Sequence, residues 1–271
     1  MRPKVAIIYN QPTFSRYDVM GEQKAELGVL DAVAAVNKAL GELGYPVFRV
    51  PLLPPLEEVK KTLRELKADL VFNLFEGFDG QPKTESIVAD MLSEFKLPYT
   101  GCPGSVLALA LDKAGTKAIL AASGIATPQS QLLTPENVSR FHLTFPCIVK
   151  PVNEDASHGL SEDSVVSDIT ALTKQVTVVS EHFGGQALVE EFLPGREFNA
   201  TAMGNTAFNV LPISEIVYHL PEGSPRILTF AAKWEPKSPY FDGTRAVCPA
   251  HIEESQKEQI RQTTLAAYQA L

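Results

Sequence analysis

The sequence predicts an α/β fold with a parallel sheet, and three observations lead there. Short apolar runs, "KVAIIY" (4–9), "PVFRV" (46–50) and "DLVFNLF" (69–75), recur through the first hundred residues. Helix-length amphipathic segments separate them, which is the pattern of βαβ units. The chain has 271 residues, 45% hydrophobic and 21% charged, enough to bury a sizeable core in two or three units without disulfide staples.

The elements follow in order. Residues 4–9 form the first strand. In "ELGVLDAVAAVNKALGEL" (26–43) the spacing puts Leu30, Val33, Ala34, Leu40 and Leu43 on one helical face, closed by Gly44. The strand 46–50 is followed by a helix over 56–66 with its charges outward and Glu57 and Glu58 at its favourable N-terminal end. A buried strand at 69–75 leads to the loop "EGFDGQPKTE" (76–85) and a helix over 85–95. Ligands gather at the carboxyl ends of such strands, so that loop is a candidate site.

From about residue 102 the pattern changes. "SVLALALDKAGTKAILAASG" (105–124) predicts two helical pieces broken near Asp112. "TPEN" (134–137) reads as a helix start with Thr134 as N-cap and Pro135 at the first helical position. A strand ending on Lys150 and a helix near 168–183 come next. Residues 186–217 are strand-rich, with Gly204-Asn205 a hairpin turn. The last helix, 253–271, places Ile260, Thr264, Ala267 and Leu271 at helical spacing. It stops on an apolar residue without a cap, so a chain ending before its domain does is the expectation.

Composition excludes some functions. A formal net charge of −8 argues against general nucleic-acid binding, which needs a basic face, but leaves room for a local basic pocket. Cys102, Cys147 and Cys248 are odd in number and widely spaced, which suits a reducing compartment better than a disulfide or zinc framework. His142, His182, His219 and His251 have no ligand spacing with one another or with cysteine. No signal peptide and no run near the ~20 apolar residues of a membrane span is visible, so a cytoplasmic, soluble protein without a membrane partner is expected.

The chemistry concentrates in "PCIVKPVNEDASHGLSEDSVV" (146–166). A lysine at a strand end beside a loop of Ala156, Ser157 and Gly159 suits polyphosphate, because the ammonium neutralises oxygens and small residues let N–H groups approach. The plainer reading is an exposed strand end followed by a solvated acidic loop. This is not a P-loop: no G-x-x-x-x-G-K-[ST] occurs. Downstream, Glu190, Glu191 and Glu197 flank a Pro-Gly turn, where carboxylates can accept from an adenine amino group or ribose hydroxyls, or simply form a solvated edge.

The order of pieces adds information. "LPYTG" (97–101), "ALDK" (110–113), "GIATP" (124–128), "IVKP" (148–151), "SHGLS" (157–161), "LVEEFLPGREF" (188–198), "AAKW" (231–234) and "CPA" (248–250) occur in one sequence over nearly the whole chain. In this the chain resembles the ATP-grasp superfamily, specifically the D-alanine–D-alanine ligases.

The resemblance implies an N-terminal Rossmann-like substrate domain (1–101), a central ATP-grasp subdomain (102–186) and a C-terminal one (187–271), the last two sandwiching ATP. It implies an ATP-dependent ligase: a carboxylate is phosphorylated to an acyl phosphate, which an amine converts to an amide. Lys113 and Lys150 would contact phosphates and the adenine edge, and the 154–159 loop, with Glu154 and Ser157, would close over the triphosphate. Glu190, Glu191, Phe192 and Leu193 would hold adenine, and Glu197 the ribose. Lys233, in a flexible 232–245 loop, would neutralise the transferring phosphoryl group. Catalytic roles fall to Glu26, which would hold the first substrate's ammonium, and to Ser157 and Lys233. The substrates implied are amino acids, D-alanine among them, with ATP and Mg²⁺; the metal ligands are expected beyond Leu271 and none within the chain. A homodimer is compatible with these expectations.

Some positions depart from the family pattern. Glu76 and Gly77 stand where the family has histidine and glycine, Ala156 where it has the first of two serines, and Trp234 where it has tyrosine. The loop 10–23 lacks the family's glycine pair. A non-catalytic nucleotide-binding protein, a ligase for another amino acid and an unrelated sugar-nucleotide enzyme are the alternatives.

Overall fold

The computed structural model describes residues 2–78 and 80–271. The chain divides into two compact units, Met1–Leu111 and Asp112–Leu271.

The first unit begins with β1 (Val5–Asn10), α1 (Arg16–Met20), α2 (Lys24–Glu42) and β2 (Val47–Leu52). It continues with α3 (Leu56–Arg64), β3 (Leu70–Leu74), α4 (Lys83–Glu94) and α5 (Gly104–Leu111). The strands form the predicted parallel sheet in the order β2-β1-β3. All six residues of β1 are buried, as befits a central strand covered on both faces. The period-2 alternation divides its side chains. Ile8 packs with Val59, Leu63, Val88 and Leu92 of α3 and α4, while Ile7 and Tyr9 pack with Val29 and Val33 of α2.

The inward face of α2 differs from the expected one. Ala25, Val29 and Val33 are buried, Val36 and Leu40 partly so, whereas Leu30, Ala34 and Leu43 are exposed. The helix has more apolar residues than one stripe can hold, and the stripe chosen is the one that reaches β1. At the other end of the unit, a Cβ on Gly104 would lie 2.3 Å from the Ser86 carbonyl oxygen, so α5 can approach α4 only with glycine there.

The second unit starts with α6 (Lys113–Ala122), whose N-cap Asp112 accepts from the Gly115 amide at 3.1 Å. The break between α5 and α6 thus falls at Asp112, as predicted. Then come β4 (Ser130–Leu133), β5 (Cys147–Pro151), β6 (Val165–Val166), α7 (Ile169–Phe183) and β7 (Ala187–Glu191). The helix expected from Thr134 is only a 3-10 turn at Val138–Arg140. Asn137 accounts for this: its side chain folds back to accept from the Thr134 amide at 2.7 Å, closing a turn where a first helical turn would run.

The remaining elements are β8 (Glu197–Asn199), β9 (Ala202–Met203), β10 (Asn209–Val210), β11 (Ser214–Tyr218), α8 (Phe230–Trp234), α9 (Pro239–Gly243), β12 (Thr244–Val247) and α10 (Glu254–Ala270). The β9–β10 hairpin lies where Gly204-Asn205 predicted it, but the connection runs over the five residues 204–208 and is not a two-residue turn. The expected 232–245 loop is instead two short capped helices leading into a strand. The Thr229 side chain caps α8 and the Ser238 side chain caps α9.

Two antiparallel sheets, ordered β4-β7-β5-β6 and β12-β11-β8, organise this unit. In the four-stranded sheet Cys147 and Val149 of β5 and Val189 of β7 face α7, packing with Leu172, Val176 and Val179. Alternation therefore sends Ile148 and Lys150, and Leu188 and Glu190, to the other face.

Candidate active site

That second face carries a buried charge cluster. Register pairs Ile148 with Glu190 and Lys150 with Leu188, so Lys150 and Glu190 are diagonal neighbours within side-chain reach. They form an ion pair, and a second lysine, Lys117 of α6, reaches the other carboxylate oxygen, Oε1, at 2.7 Å. Burial alone would raise the Glu190 pKa, but the charges and hydrogen bonds of Lys150 and Lys117 outweigh it and hold the carboxyl below its ordinary range. Lys117 was not singled out from the sequence. The available signal was its position four residues after Lys113, on the same helical face.

Lys113, at the start of α6, donates from Nζ to the Glu154 carbonyl and, at 3.4 Å, to that of Val152. It thereby ties the helix to the small-residue loop. Its pKa is pushed down to about 8, first by burial and then by repulsion from Lys150, with Asp155, Glu154 and Glu190 opposing. Lys113, Lys150, Pro151, Leu160 and the loop segment 154–158 line a cavity of about 230 Å³.

The loop is fastened to α8 and the segment before it. Ser157 Oγ donates to the Leu228 carbonyl at 2.9 Å, and Trp234 Nε1 donates to the Ala156 carbonyl at 3.1 Å. The buried His158 ring lies 5.5 Å from that of Phe230, and the Phe230 amide donates to the Leu160 carbonyl at 2.9 Å. Ala156 and Ser157 hold left-handed φ values of 48° and 65°. Two of the departures from the family pattern, Ala156 and Trp234, are therefore partners.

Lys233 lies on α8. Burial lowers its pKa, while the charges of Asp155 and Glu197 oppose that shift. Glu197 accepts a hydrogen bond from the Tyr218 hydroxyl, whose pKa is raised by burial and then by that bond. Of the expected residues, Lys113, Lys150, Glu154, Ser157 and Glu190 are thus joined through the cavity and its ion pairs, while Lys233 is coupled through charge to Asp155 of the loop and to Glu197.

Other residues stand apart. Glu191 faces the α7 side of the sheet, where its charge adds to burial in raising the Cys147 pKa. The Glu191 and Phe192 amides donate to the Gln129 and Pro146 carbonyls at 3.0 and 2.9 Å. Leu193 is 65% exposed. Glu26 belongs to the first unit, where Ser15 Oγ donates to its Oε2 at 2.7 Å while accepting from the Tyr17 amide. In the loop after β3, the Phe78 amide donates to Thr84 Oγ1 at 3.1 Å. Among the described residues, no three or more His, Cys, Asp or Glu side chains gather as a metal site, and no helix is long and apolar enough to cross a membrane.

The chain is similar to known proteins in sequence and in fold. Residues 119–271 match the family model for the D-ala D-ala ligase C-terminus. A D-alanine–D-alanine ligase of Cereibacter sphaeroides is 32% identical over 262 residues, covering 96% of this chain and 77% of that protein. An uncharacterised protein, y4sG, of Sinorhizobium fredii is 32% identical over 206 residues, and the match spans 74% of this chain and 57% of that protein. Among solved structures, the VanG D-Ala:D-Ser ligase from Enterococcus faecalis shares the fold with a TM-score of 0.70 at 18% identity, covering 100% of this chain and 83% of that one. The chain belongs to the D-alanine–D-alanine ligase family of ATP-grasp ligases.

Proposed function

We propose that this protein is a carboxylate–amine ligase that uses ATP to join amino acids, with D-alanine as the first substrate to test. The observation that carries the proposal is the cavity beside the 154–158 loop, where Lys113 and Lys150 stand together at the end of β5. Two ammonium groups and a small-residue loop suit a polyphosphate better than any neutral ligand. Bound ATP would supply a phosphoryl group to a substrate carboxylate; the amine of a second substrate then attacks the acyl carbon, and phosphate leaves.

The chain's own residues have these roles in the proposal. Lys113 and Lys150 neutralise phosphate oxygens and orient the nucleotide. Glu190 and the backbone of the Glu191–Leu193 segment border the adenine, with Phe192 nearby, and Glu197 takes the ribose hydroxyls, exchanging its bond from Tyr218. Lys233, kept less basic by burial, stabilises charge developing on the transferred group. Ser157 and the buried Glu154 shape the loop that excludes water. Glu26, oriented by Ser15, receives a substrate ammonium. Magnesium accompanies ATP in the proposal, although among the described residues no three or more His, Cys, Asp or Glu side chains gather to hold it. The proposed setting is the cytoplasm, in making a peptidoglycan precursor.

The test is titration calorimetry with ADP on the wild type and Lys150→Ala, followed by phosphate release screened across amino acids. Binding that the substitution abolishes, and release that D-alanine stimulates, are expected. Equal ADP binding by the two proteins would overturn the nucleotide assignment; release stimulated by another amino acid alone would replace the substrate.

A further inference from the structure

The cavity wall includes Lys113 and Lys150 but not Lys117, although Lys117 and Lys150 share one carboxylate. Lys117 is the more buried of the two, its side chain 14% exposed, with Nζ held between Glu190 Oε1 and the Pro128 carbonyl, both at 2.7 Å. Lys150 is more accessible, at 25%, and its amine can turn toward an anion entering the cavity. That turn has a consequence for Glu190, whose side chain is 6% exposed. A carboxylate so buried, left without a cation, either bears a large desolvation penalty or takes up a proton.

We propose that Lys117 is a positioning residue that keeps the Glu190 carboxylate neutralised, so that Lys150 can leave it for a nucleotide phosphate. Lys117 touches no ligand in this scheme. It acts through Glu190, and its second anchor at Pro128 keeps it in place when Lys150 moves. The shared pair is then an exchange device: one lysine is fixed, the other is available. With a single lysine the same carboxylate would hold Lys150 back, and ligand binding would have to break a buried ion pair outright. This inference rests on the nucleotide reading of the cavity.

The experiment measures ADP affinity by calorimetry for wild type, Lys117→Met, Lys117→Arg and the double variant Lys117→Met/Glu190→Gln. The scheme expects Lys117→Met to bind roughly 10- to 100-fold more weakly, less than the full cost of stranding one member of a buried charge pair because Glu190 can take up a proton instead. Lys117→Arg restores most of the loss, and the double variant binds more tightly than Lys117→Met because no charge is stranded. Thermal unfolding run alongside shows whether Lys117→Met folds. If it does not, Lys117→Arg and the double variant carry the comparison against wild type and Glu190→Gln. Wild type that binds ADP while Lys117→Met binds equally overturns the inference alone. A loss that neither Lys117→Arg nor the double variant relieves overturns it too, because packing and not charge would then be acting. Wild type that binds no ADP overturns the nucleotide reading and this inference with it.

Discussion

Lys113 offers a direct measure of whether the cavity receives anions. Its pKa stands at about 8, against an ordinary 10.5, so near pH 8 about half of the molecules carry a neutral amine. A polyphosphate beside it favours the ammonium and raises the pKa toward its ordinary value. Binding at pH 8 therefore takes up about half a proton, at pH 9 about nine-tenths, and at pH 7 only about a tenth, by simple titration. The assay is ADP binding by calorimetry in two buffers of widely different ionisation heat. Their apparent enthalpies diverge as pH rises from 7 to 9, and the divergence vanishes in Lys113→Met. Identical enthalpies in both buffers at pH 8 to 9 would refute the reasoning, whether because Lys113 is not depressed or because no phosphate approaches it. The same shift has a sign for stability. The unfolded chain holds the Lys113 proton up to about pH 10.5 and the folded one only to about 8, so this residue's contribution to stability increases between those values.

Other outcomes follow from the same structure. Glu190 is depressed, so its contribution to stability is present above its ordinary carboxyl pKa and is lost as pH falls through the folded value. Acid denaturation followed by circular dichroism should accordingly be less steep in Glu190→Gln. Gly104→Ala pushes a methyl against the Ser86 carbonyl and should cost about 1–3 kcal/mol in thermal or urea unfolding; an unchanged midpoint would show that α5 is free to shift. Trp234→Phe removes the donor to the Ala156 carbonyl, and a lost bond of about 1 kcal/mol should speed hydrogen exchange at the neighbouring His158 amide several-fold. No change there would mean that the other contacts alone hold the loop.

The parallel sheet was legible because its strands are short apolar runs punctuated by amphipathic helices, and β1 is buried along its whole length. Lys113, Lys150 and Glu190 were legible because they end or interrupt such runs with fixed charge. What escaped was information held in registers and turns. The inward stripe of α2 depended on where β1 lay, and the 3-10 turn at 138–140 on one Asn137 side chain competing with a helix. Lys117 resembled any solvated helix lysine until the β5–β7 register brought Glu190 to it. The segment after Lys233 looked loose because its caps, Thr229 and Ser238, serve helices only five residues long.

The short helix α8 joins two of these features mechanically. Phe230, Lys233 and Trp234 are spaced i, i+3 and i+4, so they share one side of a single turn. Phe230 and Trp234 hold the 154–160 loop, and Lys233 carries the charge. The loop's left-handed backbone at Ala156 and Ser157 is unfavourable for such residues by roughly 1 kcal/mol or more each, a cost that these contacts offset. Lys233 thus stands on the same turn that fastens the loop. A substitution that shifts this five-residue helix therefore moves the Lys233 amine and the fastening of the loop together.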